Sequence, residues 1–276
     1  MNRRHFFTLS TLALTTYLGV MGYSQATSPV SMAEMGDSSN RVPSGESIAL
    51  TVSVAASVQD AMQEVQVAYQ AEAPNVTVIY NFGSSGSLAQ QVAQGAPVDV
   101  FLSASEQWMD ELESTRQLAE GSRSNLLQNT MVLIAPKDNA HIRDFADLEA
   151  DAIGKVAIGE PESVPAGGYA KEVLTTFNLF GLLQSKLVFG KDVRQVLSYV
   201  ETGNVDAGLV YATDALVSDR VQVVAPAPAD SHGAIVYPVA VVRDSPKAEA
   251  AQAFVDFLAS EAAAEIFEKS GFNMVE

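Results

Sequence analysis

Short apolar strands alternate with amphipathic helices along this 276-residue chain, and this order restricts the fold more than any other feature. Residues 48–54 are rich in aliphatic side chains, which predicts a buried strand. Residues 75–80 and 98–102 predict two further strands, each followed by a helix. After the first strand, apolar residues recur at helical spacing, at Val58, Ala61, Met62, Val65 and Ala68. Strands that alternate with helices form βαβ units, so we expect an α/β fold with mainly parallel sheets.

The same order continues to the end of the chain. Further strands are predicted at residues 131–135, 155–158, 188–189, 207–211 and 235–242. Further helices are predicted at residues 166–177, 193–200, 246–258 and 261–269. At roughly 150 residues per domain, the length fits one or two domains.

Composition excludes several kinds of site and partner. The chain has 0 cysteines, which excludes thiolate nucleophiles and cysteine-ligated metals. It carries 16 Lys and Arg against 33 Asp and Glu, a net charge of −17. An acidic surface repels phosphate backbones, so we expect no nucleic-acid partner. Only 3 histidines are present, which argues against a multi-histidine metal centre.

The first 26 residues have the three parts of a secretory signal peptide. A basic head that contains Arg3 and Arg4 precedes a mostly apolar segment, residues 6–21, and small residues at Ser24 and Ala26 suit a cleavage site. The paired arginines resemble the twin-arginine export signal. We therefore expect residues 1–26 to be cleaved and the protein to be periplasmic. Residues 27–47, rich in Ser, Gly and Pro, predict a flexible lead-in.

Small or hydrogen-bonding residues follow the predicted strands at several junctions. They are Ser57, residues 84–86, 165–167 and 192–193, and Tyr211. At the carboxyl ends of parallel strands, helix N-termini offer free N–H groups that suit an anion without Lys or Arg. Each serine could equally be an N-cap, as predicted for Ser57, and each glycine a turn residue. The residues alone leave both interpretations open.

Enzymatic motifs are weak by comparison. The Gly-Ser-Ser-Gly-Ser segment at residues 83–87 lacks the glycine that a nucleophile elbow needs at position 87, and no lysine follows as in a P-loop. His141 and His232 have no carboxylate at an obvious relay spacing. A secreted serine hydrolase that uses Ser57 or Ser85 with His232 remains an alternative, because such an enzyme needs a base within reach of its serine.

An ordered set of motifs resembles the periplasmic molybdate-binding proteins, the solute receptors of molybdate ABC transporters. The matching segments are residues 55–62, 82–89, 95–104, 108–110, 159–172, 192–194, 210–211, 230–232 and 237–241. They follow one another in order from about residue 48 to residue 272, which covers nearly the whole chain after the leader. No single segment is specific, but the ordered set is.

The resemblance implies the ligand-binding residues. In that family five positions hold the oxyanion, and they fall here on the hydroxyls of Ser57 and Ser85, the backbone N–H groups of Ala166 and Val193, and the phenol of Tyr211. Molybdenum would be bound only as the molybdate oxyanion, with tungstate as its near-equal and with no cofactor. Gly86 stands where many relatives carry serine.

The resemblance also implies the architecture and the partner. The expected architecture is that of a type II periplasmic binding protein, in which two lobes are joined by two crossing strands that act as a hinge. The first lobe would comprise residues 48–130 and 240–276, and the second lobe residues 131–239. The expected partner is an inner-membrane ABC permease, and the expected state is a monomer without enzymatic activity.

Specificity follows from a site that contains only donors. Such a site selects fully deprotonated oxyanions over protonated phosphate, which would need an acceptor. A cavity sized for molybdate would leave the oxygens of the smaller sulfate out of reach. A receptor for sulfate or another tetrahedral oxyanion is the alternative within the same class.

Overall fold

The computed structural model describes residues 47–275 and contains two β-sheets with helices packed against them. The predicted signal peptide lies outside the described residues, as does the predicted lead-in except for Ser47. None of the helices in residues 47–275 combines the length and the apolar character of a membrane-spanning segment. The α/β class predicted from the alternation of strands and helices is confirmed.

The first sheet has six strands in the order β11-β4-β10-β3-β1-β2. These are β1 (Ile48–Ala55), β2 (Val76–Gly83), β3 (Val100–Leu102), β4 (Ser124–Gln128), β10 (Val236–Val241) and β11 (Asn273–Met274). β1 runs parallel to β2 and β3, whereas β10 runs antiparallel to β3 and β4. Val100 and Leu102 belong to one core and Phe101 to another, because successive side chains of a strand point to opposite faces.

The second sheet has five strands in the order β7-β6-β8-β5-β9. These are β5 (Met131–Pro136), β6 (Val156–Gly159), β7 (Leu187–Gly190), β8 (Ala207–Tyr211) and β9 (Val221–Pro226). β6 runs parallel to β7 and β8, and β5 runs antiparallel to β8 and β9.

Eight α-helices of the described residues cover the sheets, and each sheet with its helices forms one lobe. Helices of the first lobe are α1 (Gln59–Glu72), α2 (Ser85–Ala93), α3 (Glu106–Ser114), α7 (Ala248–Leu258) and α8 (Glu261–Lys269). Helices of the second lobe are α4 (Pro165–Thr176), α5 (Val193–Glu201) and α6 (Ala212–Leu216). Short 3-10 turns occur at Ala56–Val58, Phe145–Glu149 and Ala229–Ser231.

Both sheets are mixed, and the prediction of mainly parallel sheets is wrong in this respect. The chain leaves the first lobe after β4, enters the second at β5 and returns between β9 and β10. The strands on this crossing path pair antiparallel with their neighbours, because the chain passes out of one lobe and back again. The predicted boundary between residues 239 and 240 falls inside β10, all of which pairs in the first sheet.

Candidate functional site

A small cavity between the two lobes is lined by all five predicted binding residues. Ser57 and Ser85 come from the first lobe, and Ala166, Val193 and Tyr211 come from the second. The other lining residues are Ala55, Ala56, Gly83, Ser84, Ala104, Val164, Pro165 and Asp192. The space open to the centre of a water-sized sphere is about 10 Å³, which is about the room that a single water-sized sphere needs.

Ser57 lies in the 3-10 turn Ala56–Val58, between β1 and α1. The prediction that it caps a helix is wrong: α1 begins at Gln59, and its N-cap position is Val58. The Ser57 hydroxyl is therefore not engaged by a helix N–H, and its Oγ lies 3.0 Å from the hydroxyl oxygen of Tyr237. The 3-10 turn thus places Ser57 at the cavity, where its hydroxyl contacts Tyr237 and not the N-terminus of its own helix.

Ser85 is the first residue of α2, directly after the N-cap Ser84. Ser84 accepts the capping hydrogen bond from the backbone N–H of Ser87, which leaves the neighbouring serine free of that role. The Oγ of Ser85 accepts a hydrogen bond of 2.9 Å from the backbone N–H of Ala104. Because the Ser85 oxygen already accepts a hydrogen bond inside the first lobe, its hydroxyl hydrogen is available to donate into the cavity.

Ala166 and Val193 lie in the first turns of α4 and α5. The first N–H groups of a helix have no partner within the helix. Among the hydrogen bonds described for residues 47–275, none uses the N–H of Ala166 or Val193. Asp192 lines the cavity as well, but one oxygen of its carboxylate accepts a hydrogen bond from Gln195 as the N-cap of α5. Two helix N-termini therefore present unused N–H groups to the same cavity.

The hydroxyl of Tyr211 is fully buried and has no hydrogen-bond partner within the described chain. Burial raises the pKa of this phenol well above its usual value, so that it stays protonated and remains a donor. A buried hydroxyl without a partner is costly, and native proteins rarely keep one without a reason. A ligand oxygen in the cavity would accept its hydrogen bond.

The comparisons with known proteins identify the family. Residues 50–273 match the model of the family described as bacterial extracellular solute-binding protein. The chain belongs to this family. The predicted two-lobed fold of the periplasmic binding proteins is confirmed, and the family is one of exported receptors rather than a class of enzymes.

Individual relatives match this solute-binding protein over most of their length. The proposed ABC transporter substrate-binding lipoprotein YvgL of Bacillus subtilis (strain 168) is 46% identical over 241 residues, 86% of this chain and 92% of YvgL. The molybdate-binding protein ModA of Haemophilus influenzae is 40% identical over 228 residues, 81% of this chain and 89% of ModA. The solved substrate-binding domain of a proposed molybdenum ABC transporter from Clostridium difficile is 43% identical with a TM-score of 0.65, covering 83% of this chain and 100% of that chain.

Three residues of this solute-binding protein that the sequence did not predict form a hydrogen-bond network beside Ser57. They are Asn129, Thr213 and Tyr237. Nδ2 of Asn129 donates hydrogen bonds to the Tyr237 hydroxyl at 3.3 Å and to Oγ1 of Thr213 at 2.9 Å. With Asn129 as its donor, Tyr237 can donate its own hydrogen to Ser57 Oγ, and Ser57 keeps its hydrogen for the cavity. Burial raises the pKa of Tyr237, which preserves that hydrogen. No local pattern could have revealed this network, because its members are far apart in sequence.

Arg194 and Asp214 form a second group beside the cavity of the solute-binding protein. Arg194 follows Val193 directly, and its Nε lies 2.8 Å from Oδ1 of the fully buried Asp214. These two atoms attract as charges without the alignment of a hydrogen bond. Burial raises the pKa of Asp214 to about 7, and the positive charge of Arg194 opposes that rise. The other carboxylate oxygen, Oδ2, accepts from the backbone N–H of Tyr211 at 3.3 Å.

His232 lies apart from the two serines of the hydrolase alternative. Its Nδ1 is 2.6 Å from the carbonyl oxygen of Gly233, and its ring contacts the ring of Tyr169. It lines a different surface pocket, between α4 and the turn Ala229–Ser231. In the described chain, neither Ser57 nor Ser85 has a hydrogen bond to His232, so the geometry does not pair this histidine with either serine.

Proposed function

We propose that this protein is a receptor that binds molybdate, or tungstate, in the cavity between its lobes. The observation that carries the proposal is the convergence of five donors on one enclosed space, among them the buried and unpartnered hydroxyl of Tyr211. The relative from Haemophilus influenzae, named as molybdate-binding, supports the choice of ligand. Molybdate is the transported solute in this proposal, and no separate cofactor is involved.

The donor set explains how an acidic protein can bind an anion. A hydrogen bond to a charged group contributes about 1.5–3 kcal/mol. About six such bonds give roughly 9–18 kcal/mol, which can reach the roughly 8 kcal/mol of micromolar binding when the cost of association lies toward the low end of its range, about 4–15 kcal/mol. The oxygen of Ser85 accepts from the N–H of Ala104, and the oxygen of Ser57 can accept from the Tyr237 hydroxyl, so both serines can face the cavity as donors. A protonated phosphate would have to place its own hydrogen against another hydrogen, which disfavours it.

The two lobes divide the donors, and we propose that this division makes binding close the cleft. The first lobe, which contains the six-stranded sheet, contributes Ser57 and Ser85. The second lobe, which contains the five-stranded sheet, contributes Ala166, Val193 and Tyr211. An anion that contacts both sets stabilises the closed form relative to the open one by the difference in contacts.

The proposed location and partner of the protein are argued from its family and from its N-terminal sequence. We propose that residues 1–26 are a cleaved signal peptide, of the twin-arginine type, and that the receptor acts in the periplasm as a monomer. It would deliver its ligand to an inner-membrane ABC permease and catalyse no reaction. Its relatives include the ABC transporter substrate-binding lipoprotein named above.

A calorimetric titration tests the proposal. Ligand-free protein that begins at residue 27 is titrated with molybdate, tungstate, sulfate and phosphate in one buffer. We expect tight binding of molybdate and tungstate and no heat with sulfate or phosphate. Equal binding of sulfate would replace the proposal with a general oxyanion receptor. Silence with all four anions would contradict it, and ester hydrolysis that is lost in His232→Ala would then favour the hydrolase.

A further inference from the structure

The side chain of Arg194 crosses from the second lobe to the first. Arg194 belongs to α5, yet its Nη2 lies 2.6 Å from Oδ2 of Asp60 in α1. The same nitrogen donates a hydrogen bond of 3.2 Å to the carbonyl oxygen of Ser57. One guanidinium therefore contacts both a carboxylate and a ligand-binding segment of the opposite lobe.

The rest of the guanidinium is fixed within its own lobe. Asp214 holds Nε at 2.8 Å, and Asp214 also accepts from the N–H of Tyr211. Arg194 is thus joined to three of the five proposed binding residues: to Ser57 by its hydrogen bond, to Val193 by the chain, and to Tyr211 through Asp214. A change in the position of Arg194 would therefore shift proposed binding residues on both sides of the cavity.

Arg194 does not line the cavity itself. It lies in an adjoining pocket of about 200 Å³ with Asp60, Glu64 and Lys269. Two carboxylates, on Asp60 and Asp214, surround its single positive charge. Its charge is therefore partly compensated by the protein, and its contacts with both lobes give Arg194 a route to an anion in the cavity through the positions of the lobes.

We propose that the Arg194–Asp60 pair, called here the interlobe ion pair, is a positioning contact that holds the closed cleft and slows release of the bound anion. The inference rests on the proposed function. The two charges belong to different lobes, so the pair forms when the lobes close and breaks when they separate. The hydrogen bond between the backbone N–H of Gly86 and the carbonyl oxygen of Ser163, 3.0 Å long, joins the lobes at another point and contains no charge. Salt should therefore weaken the interlobe ion pair selectively.

The chain offers a matched control on the same helix. Glu64 lies one turn after Asp60 in α1, and it pairs with Lys269 at 3.0 Å. Both members of this control pair belong to the first lobe, so it is unaffected by lobe closure. The side chains of Asp60 and Glu64 are 51% and 53% exposed, which makes the loss of charge comparable.

The test measures release of molybdate by stopped flow in the parent, Asp60→Asn, Glu64→Gln and Asp60→Glu. We expect Asp60→Asn to release molybdate roughly two- to fivefold faster, as suits a partly exposed pair. Glu64→Gln should match the parent, and Asp60→Glu should restore slow release. Added NaCl should speed release from the parent but not from Asp60→Asn. The ligand-free melting temperature of Asp60→Asn should be close to that of the parent, because the pair forms only in the closed fraction of the ligand-free protein.

Two outcomes separate the inference from the proposed function. Equal release rates from the parent and Asp60→Asn, with molybdate bound by both, would overturn the interlobe ion pair alone. If the parent binds no molybdate, the proposed function fails, and lobe closure is measured without ligand. Because the chain has 0 native cysteines, dyes on Ala71→Cys and Asp151→Cys report the distance between the lobes. Asp60→Asn should lower the closed fraction in that measurement, and an unchanged distribution would overturn the inference.

Discussion

The hydroxyls of Tyr211 and Tyr237 are both buried in this protein, yet their surroundings differ. The Tyr211 hydroxyl has no partner in the described chain, whereas the Tyr237 hydroxyl contacts Ser57 and Asn129. A buried polar group without a partner costs free energy, and a paired one contributes about 0.5–1.5 kcal/mol per bond. Replacing each tyrosine by phenylalanine therefore tests whether its hydroxyl serves the ligand, as proposed for Tyr211, or stabilises the fold, as proposed for Tyr237.

Tyr211→Phe is expected to weaken molybdate binding without loss of stability. It removes a donor to the anion, which contributes about 1.5–3 kcal/mol, or roughly 10- to 100-fold in affinity. It removes no hydrogen bond from the ligand-free protein, so the free energy of unfolding should be unchanged or higher. Calorimetry and urea unfolding measure the two quantities. Unchanged affinity would exclude Tyr211 from the site.

Tyr237→Phe provides the comparison. It removes the hydroxyl that contacts Ser57 and Asn129, so the free energy of unfolding should fall by about 1–2 kcal/mol. Affinity for molybdate should fall as well, because Ser57 loses the group that orients its hydroxyl. If Tyr237→Phe were as stable as the parent, the hydrogen-bond network described here would be wrong.

Asp214 should make stability depend on pH. Its pKa is raised from 3.8 to about 7 by burial, so the folded protein binds this proton more tightly than the unfolded chain does. This contribution to stability is complete below about pH 4 and is lost as the pH rises through about 7. The parent should therefore lose stability relative to Asp214→Asn between these pH values, by about 1.4 kcal/mol for each pKa unit of the shift. Urea unfolding of both proteins from pH 4 to pH 8 measures it, and parallel profiles would contradict it.

Residue-scale features of the site were only partly predictable. The resemblance placed Ser57, Ser85, Ala166, Val193 and Tyr211, and the structure gathers all of them around one cavity. Their role as ligands stays a prediction. Asn129, Tyr237 and Asp214 were missed because their partners are distant in sequence, and no helical or strand period relates them.

At the scale of elements, α4 approaches β6 very closely. A Cβ added to Gly167 would lie 2.1 Å from the carbonyl oxygen of Gly159, so this helix can lie against the strand only because residue 167 has no side chain. The position of the Ala166 N–H depends on that close contact. Gly168, the next residue, has free space, with its nearest atom 3.7 Å away.

Gly167→Ala is therefore expected to displace the start of α4. Overpacking of this kind costs about 1–3 kcal/mol of stability, and molybdate affinity should fall because the Ala166 donor moves. Gly168→Ala is the matched control, which should leave affinity unchanged and stabilise the helix by about 0.5–1 kcal/mol. Thermal unfolding and calorimetry of the two variants compare these effects. Equal behaviour would contradict the argument from close contact.

Val193→Pro tests the backbone donor of α5. Val193 is the first residue of the helix, where proline is tolerated, and Asp192 already has the extended backbone that precedes proline, with φ −156° and ψ 171°. The variant should fold but lose one N–H, which lowers molybdate affinity roughly 10- to 100-fold. Val193→Ala, which keeps the N–H and loses only methyl groups, is the control. Equal affinity of the two variants in calorimetry would remove Val193 from the donor set.

Long buried elements were predictable, whereas short ones that depend on distant partners were not. The predicted strand at residues 48–54 and helix at 261–269 agree closely with β1 (Ile48–Ala55) and α8 (Glu261–Lys269). β4 and β9 were missed because they carry polar or exposed residues and so lack the apolar pattern of a buried strand. Their strand structure depends on antiparallel pairing with β10 and β5. The turn Ala56–Val58 was missed because Ser57 before an apolar helix resembles an N-cap in sequence.

On the scale of the whole molecule, the chain passes between the lobes at residues 129–130 and 227–235. We propose that these segments allow the lobes to separate while each sheet stays intact. We expect molybdate to reduce the radius of gyration measured by small-angle X-ray scattering, because ligand-free lobes open and bound lobes close. Tyr211→Phe at the same molybdate concentration should show a smaller decrease. Identical scattering with and without molybdate, under conditions where calorimetry shows binding, would contradict closure.

The enclosed cavity has a consequence for the rate of transport. Its five proposed donors are almost completely buried and come from both lobes, so we expect an ion held there to leave only when the lobes part. The residence time of the ion then equals the waiting time for opening. A contact that stabilises the closed form therefore raises the affinity for the ion. It lowers the rate of unassisted release to the permease by the same factor. A tighter receptor would thus be a slower donor, unless its membrane partner spends energy on parting the lobes.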